Sequence, residues 1–215
     1  MSDSTLLIPV DSVEHVLLDR VSWSKYEELL AEFESRPSVK LTFDRGRLEI
    51  MSPLAEHESF AELLGRLIEL MSLERRVPIV PLGSTTFHDE VKTGGLEPDK
   101  SYYIANAPAI RGIRGPFDPK IHPAPDLAIE VDITSRSVAR EPIYSALGVP
   151  ELWRVTFDGI ECLHLADDGK YRPAERSLSF PFLMPSTLWG WVRRLEDEVD
   201  LVVLVEFREW VQRLP

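Results

Sequence analysis

The side chains best suited to chemistry are the carboxylates of one short segment, residues 126–133, which reads DLAIEVDI. Its length and its β-branched residues are typical of a β-strand. Because side chains alternate between the two faces of a strand, Asp126, Glu130 and Asp132 share one face, while apolar side chains cover the other. Alternate positions lie about 6–7 Å apart, so carboxylates there repel one another unless a cation neutralises them. Mg²⁺ and Mn²⁺ prefer oxygen ligands, so this face predicts a divalent-metal site; the alternative is a solvated face at a sheet edge.

A second carboxylate, Asp99, follows a proline in the segment GLEPD at residues 95–99. The proline restricts the backbone where the next strand-like segment begins. A Pro-Asp pair alone is common in turns and is weak evidence for a site. Here it precedes the acidic strand by some 30 residues, and the combination predicts that Asp99 and Glu130 form the centre of the metal site.

Other reactive side chains have weaker support. His57 lies at the edge of an apolar helical stripe, where it would serve either the site or helix packing. No pair of histidines has the spacing of zinc ligands, and the single cysteine, Cys162, lies in an apolar strand-like run that favours a core position. The sequence also contains no phosphate-binding glycine-rich loop and no motif for a nucleophilic serine or cysteine.

Composition limits the class of protein. The 215 residues are enough for one domain, which we predict to span residues 1–215. The net charge of −12 argues against a tight, general nucleic-acid binder, because such proteins usually present a basic face. It does not exclude a nuclease, since metal ions bridge acidic side chains to phosphate. No apolar run approaches 18 residues and no basic, apolar leader is recognisable, so we predict a cytoplasmic protein without a membrane segment.

The elements that would position these residues alternate between strands and helices, which predicts an α/β (α+β) fold with a mixed sheet flanked by helices. Strands are predicted at residues 40–43, 48–51, 77–80, 84–87, 100–104, 126–133, 152–156 and 160–165. Helices are predicted at residues 24–35, 54–75, 135–147, 187–195 and 198–213, with Ser24 and Ser135 as N-terminal caps and Gly148 as a C-terminal cap. Helices 24–35 and 198–213 are interpreted as appendages to the domain. Residues 88–98 and 106–125 are predicted to be loops.

Taken together, these segments resemble the Uma2-like family (domain of unknown function 820), a branch of the PD-(D/E)XK restriction-endonuclease-like superfamily. The resemblance covers residues from about 40 to 190 in the family's order. The matching segments are RLEIMSP (47–53), EHE (56–58), GSTT (83–86), GLEPD (95–99), PDLAIEV (125–131) and YSALGVPELW (144–153). The resemblance implies a restriction-endonuclease-like core and metal-dependent hydrolysis of phosphodiester bonds in nucleic acid.

The resemblance also implies roles for individual residues. Asp99 corresponds to the aspartate of the Pro-Asp element and Glu130 to the acidic residue of the (D/E)XK element, with Asp126 as a further metal ligand. His57 or Glu58 would face the site from the preceding helix. The family's lysine should stand two residues after Glu130, where this chain has Asp132.

The nearest basic residue predicted to replace that lysine is Arg140. A guanidinium stays protonated, so it would clamp a phosphate or neutralise the carboxylates rather than act as a general base.

Two functions follow from these observations. The first is an endonuclease that uses Mg²⁺ or Mn²⁺ and acts on nucleic acid, with DNA as the expected substrate. The second is a nuclease-fold protein without activity that serves as a binding or assembly module. In either case an apolar face of the last helix predicts a homo-oligomer, most simply a dimer; its residues are Leu201, Val202, Val205, Trp210 and Val211.

Overall fold

The computed structural model describes residues 15–36, 39–52, 55–83, 85–91, 94–112, 117–133 and 138–215. Its strands are β1 (His15–Leu18), β2 (Lys40–Asp44), β3 (Arg47–Met51), β4 (Val80–Pro81), β5 (Phe87–Asp89), β6 (Gly94–Leu96), β7 (Lys100–Tyr103), β8 (Leu127–Val131), β9 (Glu151–Thr156), β10 (Gly159–Leu165) and β11 (Tyr171–Ala174). Its helices are α1 (Trp23–Phe33), α2 (Ala55–Arg75), α3 (Ala107–Ile110), α4 (Glu141–Leu147), α5 (Leu188–Asp197) and α6 (Asp200–Arg213), with a 3₁₀ turn at Pro185–Thr187.

The strands form two sheets. The first sheet has the order β1-β3-β2-β6-β5 and is antiparallel throughout. The second sheet has the order β11-β10-β9-β8-β7-β4, and only β8 and β9 are parallel, joined through α4. The predicted fold class, a mixed sheet flanked by helices, is therefore confirmed, although the strands are divided between two sheets.

Strand β8 lies in the middle of the second sheet and is buried on both faces. One face, with Ile129 and Val131, packs against α2, α5 and α6 in the main hydrophobic core. The other face, with Ala128, packs against α4. Glu130 alternates with Ala128 and therefore belongs to the α4 face. A carboxylate is thus held inside the protein between a sheet and a helix.

The short segment between β6 and β7 carries the chain from the first sheet to the second, and it contains Asp99. The prediction of a loop over residues 88–98 is wrong where β6 forms, at Gly94–Leu96. Glycine has a low intrinsic preference for strands, so close packing must decide this pairing. A β-carbon at Gly95 would lie 2.3 Å from the Tyr26 hydroxyl, which shows why the strand needs a glycine to approach α1.

Two helix boundaries also differ from the predictions. The cap of α1 is Ser22 rather than Ser24, and its hydroxyl accepts a hydrogen bond from the Lys25 amide at 3.2 Å. Helix α4 begins at Glu141 rather than at residue 135, and residues 138–140 are not helical. Pro142 favours this start, because proline is well accommodated in the first turn of a helix. The predicted cap Ser135 lies outside the described residues. The left-handed Gly148 ends α4 as predicted, with φ of 87°.

The first and last helices both bury side chains in the body of the protein. Tyr26 of α1 is fully buried in a cluster with β2 and β3. Phe207 and Val211 of α6 are fully buried against the main core. The description of residues 1–215 as one domain with appendages stays a prediction. Among the described helices, none combines the length and the apolar character required to cross a membrane.

Candidate active site

Asp99 is held at the junction of the two sheets by hydrogen bonds with strand β8. Its side chain is fully buried. Its backbone amide donates to the Ile129 carbonyl at 3.2 Å, and its Oδ2 accepts a hydrogen bond from the Val131 amide at 2.7 Å. Since β7 and β8 are antiparallel with Lys100 opposite Ile129, extending the register by one residue sets Asp99 opposite Glu130. The two carboxylates predicted to form the site are therefore neighbours across two central strands.

The first turn of α2 brings His57 and Glu58 to Asp99. The Nε2 atom of His57 lies 3.5 Å from Asp99 Oδ2, and the imidazole is buried. One ligand atom from each of these three residues lies within 4.8 Å of the others. The Glu58 side chain is 52% exposed, so the cluster opens to solvent on that side.

Glu130 is bound by two residues from the α4 region. Arg140 Nη1 donates to Glu130 Oε2 at 2.6 Å, and the Tyr144 hydroxyl donates to Glu130 Oε1. All three side chains are buried. Burial and the Glu130 carboxylate raise the pKa of Tyr144 well above its ordinary value, so the phenol remains a hydrogen-bond donor.

Arg140 has donors to spare. Its Nε and Nη2 atoms are buried, and within the described ranges of the chain they have no hydrogen-bond partner. A buried donor without a partner is costly, which makes these nitrogens suited to an anionic ligand such as a phosphate oxygen.

Lys40, at the start of β2, is the residue that sequence reasoning missed. Its ammonium forms an ion pair with Asp99 Oδ1 and lies 3.4 Å from Glu58 Oε1. Burial lowers the pKa of Lys40, but the carboxylates of Asp99, Glu58 and Glu130 outweigh that effect and raise it above the ordinary value. Lys40 is therefore a cation at neutral pH in the metal-free protein, not a general base.

A signal for Lys40 was present in the sequence. The run VKLTF at residues 39–43 carries a lysine in an otherwise uncharged segment, and residues 40–43 are all buried. A lysine is seldom buried without a charged partner. The sequence alone could not name that partner, because Asp99 lies 59 positions further along the chain.

Asp126 lies away from this cluster. It precedes β8 at the end opposite to Glu130, about 13 Å along the strand. Its carboxylate accepts hydrogen bonds from the Ile104 amide at 2.6 Å and from the Asn106 amide and side chain at 2.9 and 2.7 Å. The structure therefore does not join Asp126 to Asp99 and Glu130 as the sequence predicted. Asp126 instead stabilises the turn that follows β7.

Glu97 adds a further acidic group near the cluster. Burial raises its pKa, although a 2.9 Å hydrogen bond from Thr86 and the charges of Lys40 and Arg140 act in the opposite direction.

The donor set suits a hard divalent ion. Carboxylate oxygens are the preferred ligands of Mg²⁺ and Mn²⁺, and Mn²⁺ also accepts an imidazole nitrogen. The clustered ligand atoms of His57, Glu58 and Asp99 supply this chemistry, and Glu130 adds a third carboxylate across the strand pair. Three carboxylates against the two cations Lys40 and Arg140 leave an excess of negative charge for the ion to balance.

Comparison with known proteins shows the family to which the chain belongs. Residues 23–196 match the model of the Uma2 family, which is described as "Putative restriction endonuclease". The chain belongs to the Uma2 family. The resemblance that the sequence motifs indicated is therefore confirmed. A search of curated proteins found no match.

This Uma2 protein is also similar to a solved structure described as "a putative nuclease belonging to DUF820 from Anabaena variabilis ATCC 29413". The sequence identity is 15% and the TM-score is 0.48. The similarity covers 83% of this chain and 98% of that one.

Proposed function

We propose that this Uma2 protein is a cytoplasmic, Mg²⁺- or Mn²⁺-dependent endonuclease that hydrolyses phosphodiester bonds in DNA. The observation that carries the proposal is the cluster of buried Asp99 and His57 with half-exposed Glu58, beside Glu130. The family description, "Putative restriction endonuclease", supports the reaction class and the choice of DNA.

The proposed ligands of the ion are Asp99 and Glu130, with Glu58 on the solvent side and His57 either as a ligand or as a group that orients Asp99. A divalent ion bound there supplies a Lewis acid for the phosphate and lowers the pKa of a bound water. Tyr144 and Arg140 hold the two oxygens of Glu130 and so fix its orientation.

The two buried cations have distinct roles in this proposal. Lys40 is suited to hydrogen-bond the attacking water or a phosphate oxygen beside Asp99, since its ammonium carries three donors. Arg140 is suited to hold a non-bridging phosphate oxygen through Nε and Nη2 and to stabilise charge as the bond breaks. Together they would do the work of the lysine that Asp132 replaces in the sequence.

The direct test is cleavage of plasmid and single-stranded DNA with Mg²⁺ or Mn²⁺ by wild type, Glu130→Gln and Glu141→Gln. Glu141 is a matched control because it lies next to Arg140 but pairs with Arg154 on the exposed side of α4. We expect metal-dependent cleavage that falls about 10²-fold or more in Glu130→Gln and persists in Glu141→Gln. Equal activity in all three proteins would mean that cleavage comes from a different site or a contaminant.

One observation favours the second function, a nuclease fold without activity used for binding. Each central carboxylate already has an internal cation, Lys40 on Asp99 and Arg140 on Glu130. A site neutralised in this way can stay folded without metal. Metal binding distinguishes the two functions: absence of Mn²⁺ binding by calorimetry would exclude the endonuclease and leave the binding module.

We also propose that the protein forms a dimer through α6. Part of the predicted apolar face packs inward, since Val211 is fully buried and Trp210 contacts the core. The remaining part, Leu201, Val202 and Val205, faces outward, and Leu201 is 71% exposed. Exposed apolar side chains grouped on one helix favour association with a second copy.

For this surface we expect the double variant Leu201→Lys, Val205→Lys to be monomeric, whereas wild type is dimeric, in light scattering coupled to size-exclusion chromatography. The matched control is Ile121→Lys, an exposed apolar residue outside α6, which should leave the mass unchanged. A wild-type protein that is monomeric at high micromolar concentration would contradict the proposed dimer.

A further inference from the structure

A second group of metal-ligand side chains lies on the second sheet, apart from the site described above. It consists of Glu151 on β9 and Cys162 and His164 on β10. His164 pairs directly with Glu151 across the two strands, and Cys162 lies two positions before His164, so all three share one face.

This group is separate from the acidic cluster in two ways. Glu151 is level with Leu127 at the start of β8, whereas Glu130 lies near the end of that strand. Leu127 and Cys162 belong to the main core with α2 and α5, whereas Glu130 faces α4. The two groups therefore lie on opposite faces and at opposite ends of the sheet.

Two of the three separations between ligand atoms match those of a tetrahedral zinc site, and all three atoms lie within 4.8 Å of one another. Zn²⁺ binds cysteine sulfur at about 2.3 Å and histidine nitrogen or carboxylate oxygen at about 2.0–2.2 Å, which sets neighbouring ligand atoms about 3.4–3.6 Å apart. Here Cys162 Sγ lies 3.5 Å from Glu151 Oε1 and 3.6 Å from His164 Nε2. Thiolate, imidazole and carboxylate are also the ligand types that Zn²⁺ prefers.

The environment of Glu151 is an independent observation that points to a cation. Its relative exposure is 0%. Within the part of the chain that the structure describes, its hydrogen-bond donors are all neutral: the Trp153 indole at 2.7 Å, the Ser179 amide at 2.8 Å and the Cys162 thiol. A buried carboxylate usually has a charged partner, and here a metal ion would provide one. Trp153 and Ser179 would hold the carboxylate in position, as outer residues commonly do in metal sites.

We propose that Glu151, Cys162 and His164 form a second metal site, for Zn²⁺ or a similar thiophilic divalent ion. Three protein ligands leave one position for water or another ligand. Cys162 also lines a cavity of about 330 Å³ together with Met184. A bound ion would link β9 to β10, and β11 pairs with β10 on its other side.

Binding at this site would release a proton. Without metal, the Cys162 sulfur is a thiol that donates a hydrogen bond to Glu151 Oε1 at 3.5 Å. When the ion binds, a metal–sulfur bond forms and the thiol proton passes to solvent. Affinity should therefore increase with pH.

The test is titration of the full chain with Co²⁺, followed by absorption spectroscopy. The chain has a single cysteine, so a thiolate-to-cobalt charge-transfer band in the near ultraviolet reports Cys162 alone. We expect a band that saturates at one equivalent, is displaced by Zn²⁺ and is absent in Cys162→Ser. His164→Gln should weaken Co²⁺ binding about 10-fold or more, whereas His122→Gln, which removes an imidazole in a distant loop, should not change it.

A further variant separates this site from the proposed nuclease site. Asp99→Asn should keep the cobalt–thiolate band, because Asp99 contributes nothing to the second group. A folded wild-type protein that gives no band with Co²⁺ would overturn the proposal. An unchanged Co²⁺ affinity in both His164→Gln and Glu151→Gln would also overturn it, because Cys162 would then bind the ion without the other two residues.

Discussion

Replacing Asp99 with asparagine is expected to abolish metal-dependent cleavage, with a loss of about 10³-fold or more. A bound divalent ion supplies several kcal/mol of transition-state stabilisation, and about 4 kcal/mol corresponds to a factor of 10³ in rate. Asp99 lies in contact range of both His57 and Lys40, so its charge is central to the cluster. Initial rates of plasmid nicking at saturating Mn²⁺ measure this effect.

A second readout shows whether the loss is specific to the metal site. Mn²⁺ at about 100 times its dissociation constant should raise the free energy of unfolding of wild type by about 2.7 kcal/mol, and this gain should vanish in Asp99→Asn. Glu161→Gln, an exposed carboxylate paired with Arg154, serves as the control and should keep both the gain and the activity. Full activity in folded Asp99→Asn would refute the proposed site.

Replacing Lys40 with methionine is expected to change cleavage and metal affinity in opposite directions. Cleavage should fall about 10²–10³-fold, since a charged donor beside the reacting phosphate is lost. Metal affinity should increase, because the ammonium that competes for Asp99 and Glu58 is removed. In the absence of metal the variant should lose about 3–5 kcal/mol of stability, as expected when one partner of a buried ion pair is removed.

The matched control for this prediction is Lys100→Met. Lys100 follows Asp99 in the sequence, but its ammonium pairs with Glu62 of α2 on the opposite face of the sheet. The control should therefore keep both its cleavage rate and its Mn²⁺ affinity, measured by calorimetry. If Lys40→Met bound Mn²⁺ more weakly than wild type, Lys40 would be holding the ligands together rather than competing with the ion.

The two basic residues show why the site could be predicted only in part from the sequence. Arg140 was found because the motif indicated a missing lysine and the following segment carried a nearby cation. Lys40 was missed because its strand lies in the other sheet, and residues 40 and 99 meet only when β6 pairs with β2. That pairing depends on the close approach of Gly95 to Tyr26, which no periodicity in the sequence reveals.

Asp126 illustrates the opposite error. Strand alternation assigns Asp126 and Glu130 to one face of the strand. It does not show which groups from other parts of the chain surround each carboxylate. The turn after β7 supplies three hydrogen-bond donors to Asp126, so its negative charge is satisfied without a metal ion. Only the course of the chain through residues 104–106 determines this role.

The sequence by itself determined most of the local elements, the acidic strand, the Pro-Asp element and the family, because hydrophobic periodicity and short motifs are encoded by neighbouring residues. The tertiary structure alone decided which cations meet the carboxylates, which aspartate is structural, and that Glu151, Cys162 and His164 come together. The physical reason is that electrostatic compensation and metal coordination act over a few ångströms in space, between residues that strand pairing brings together from distant parts of the chain.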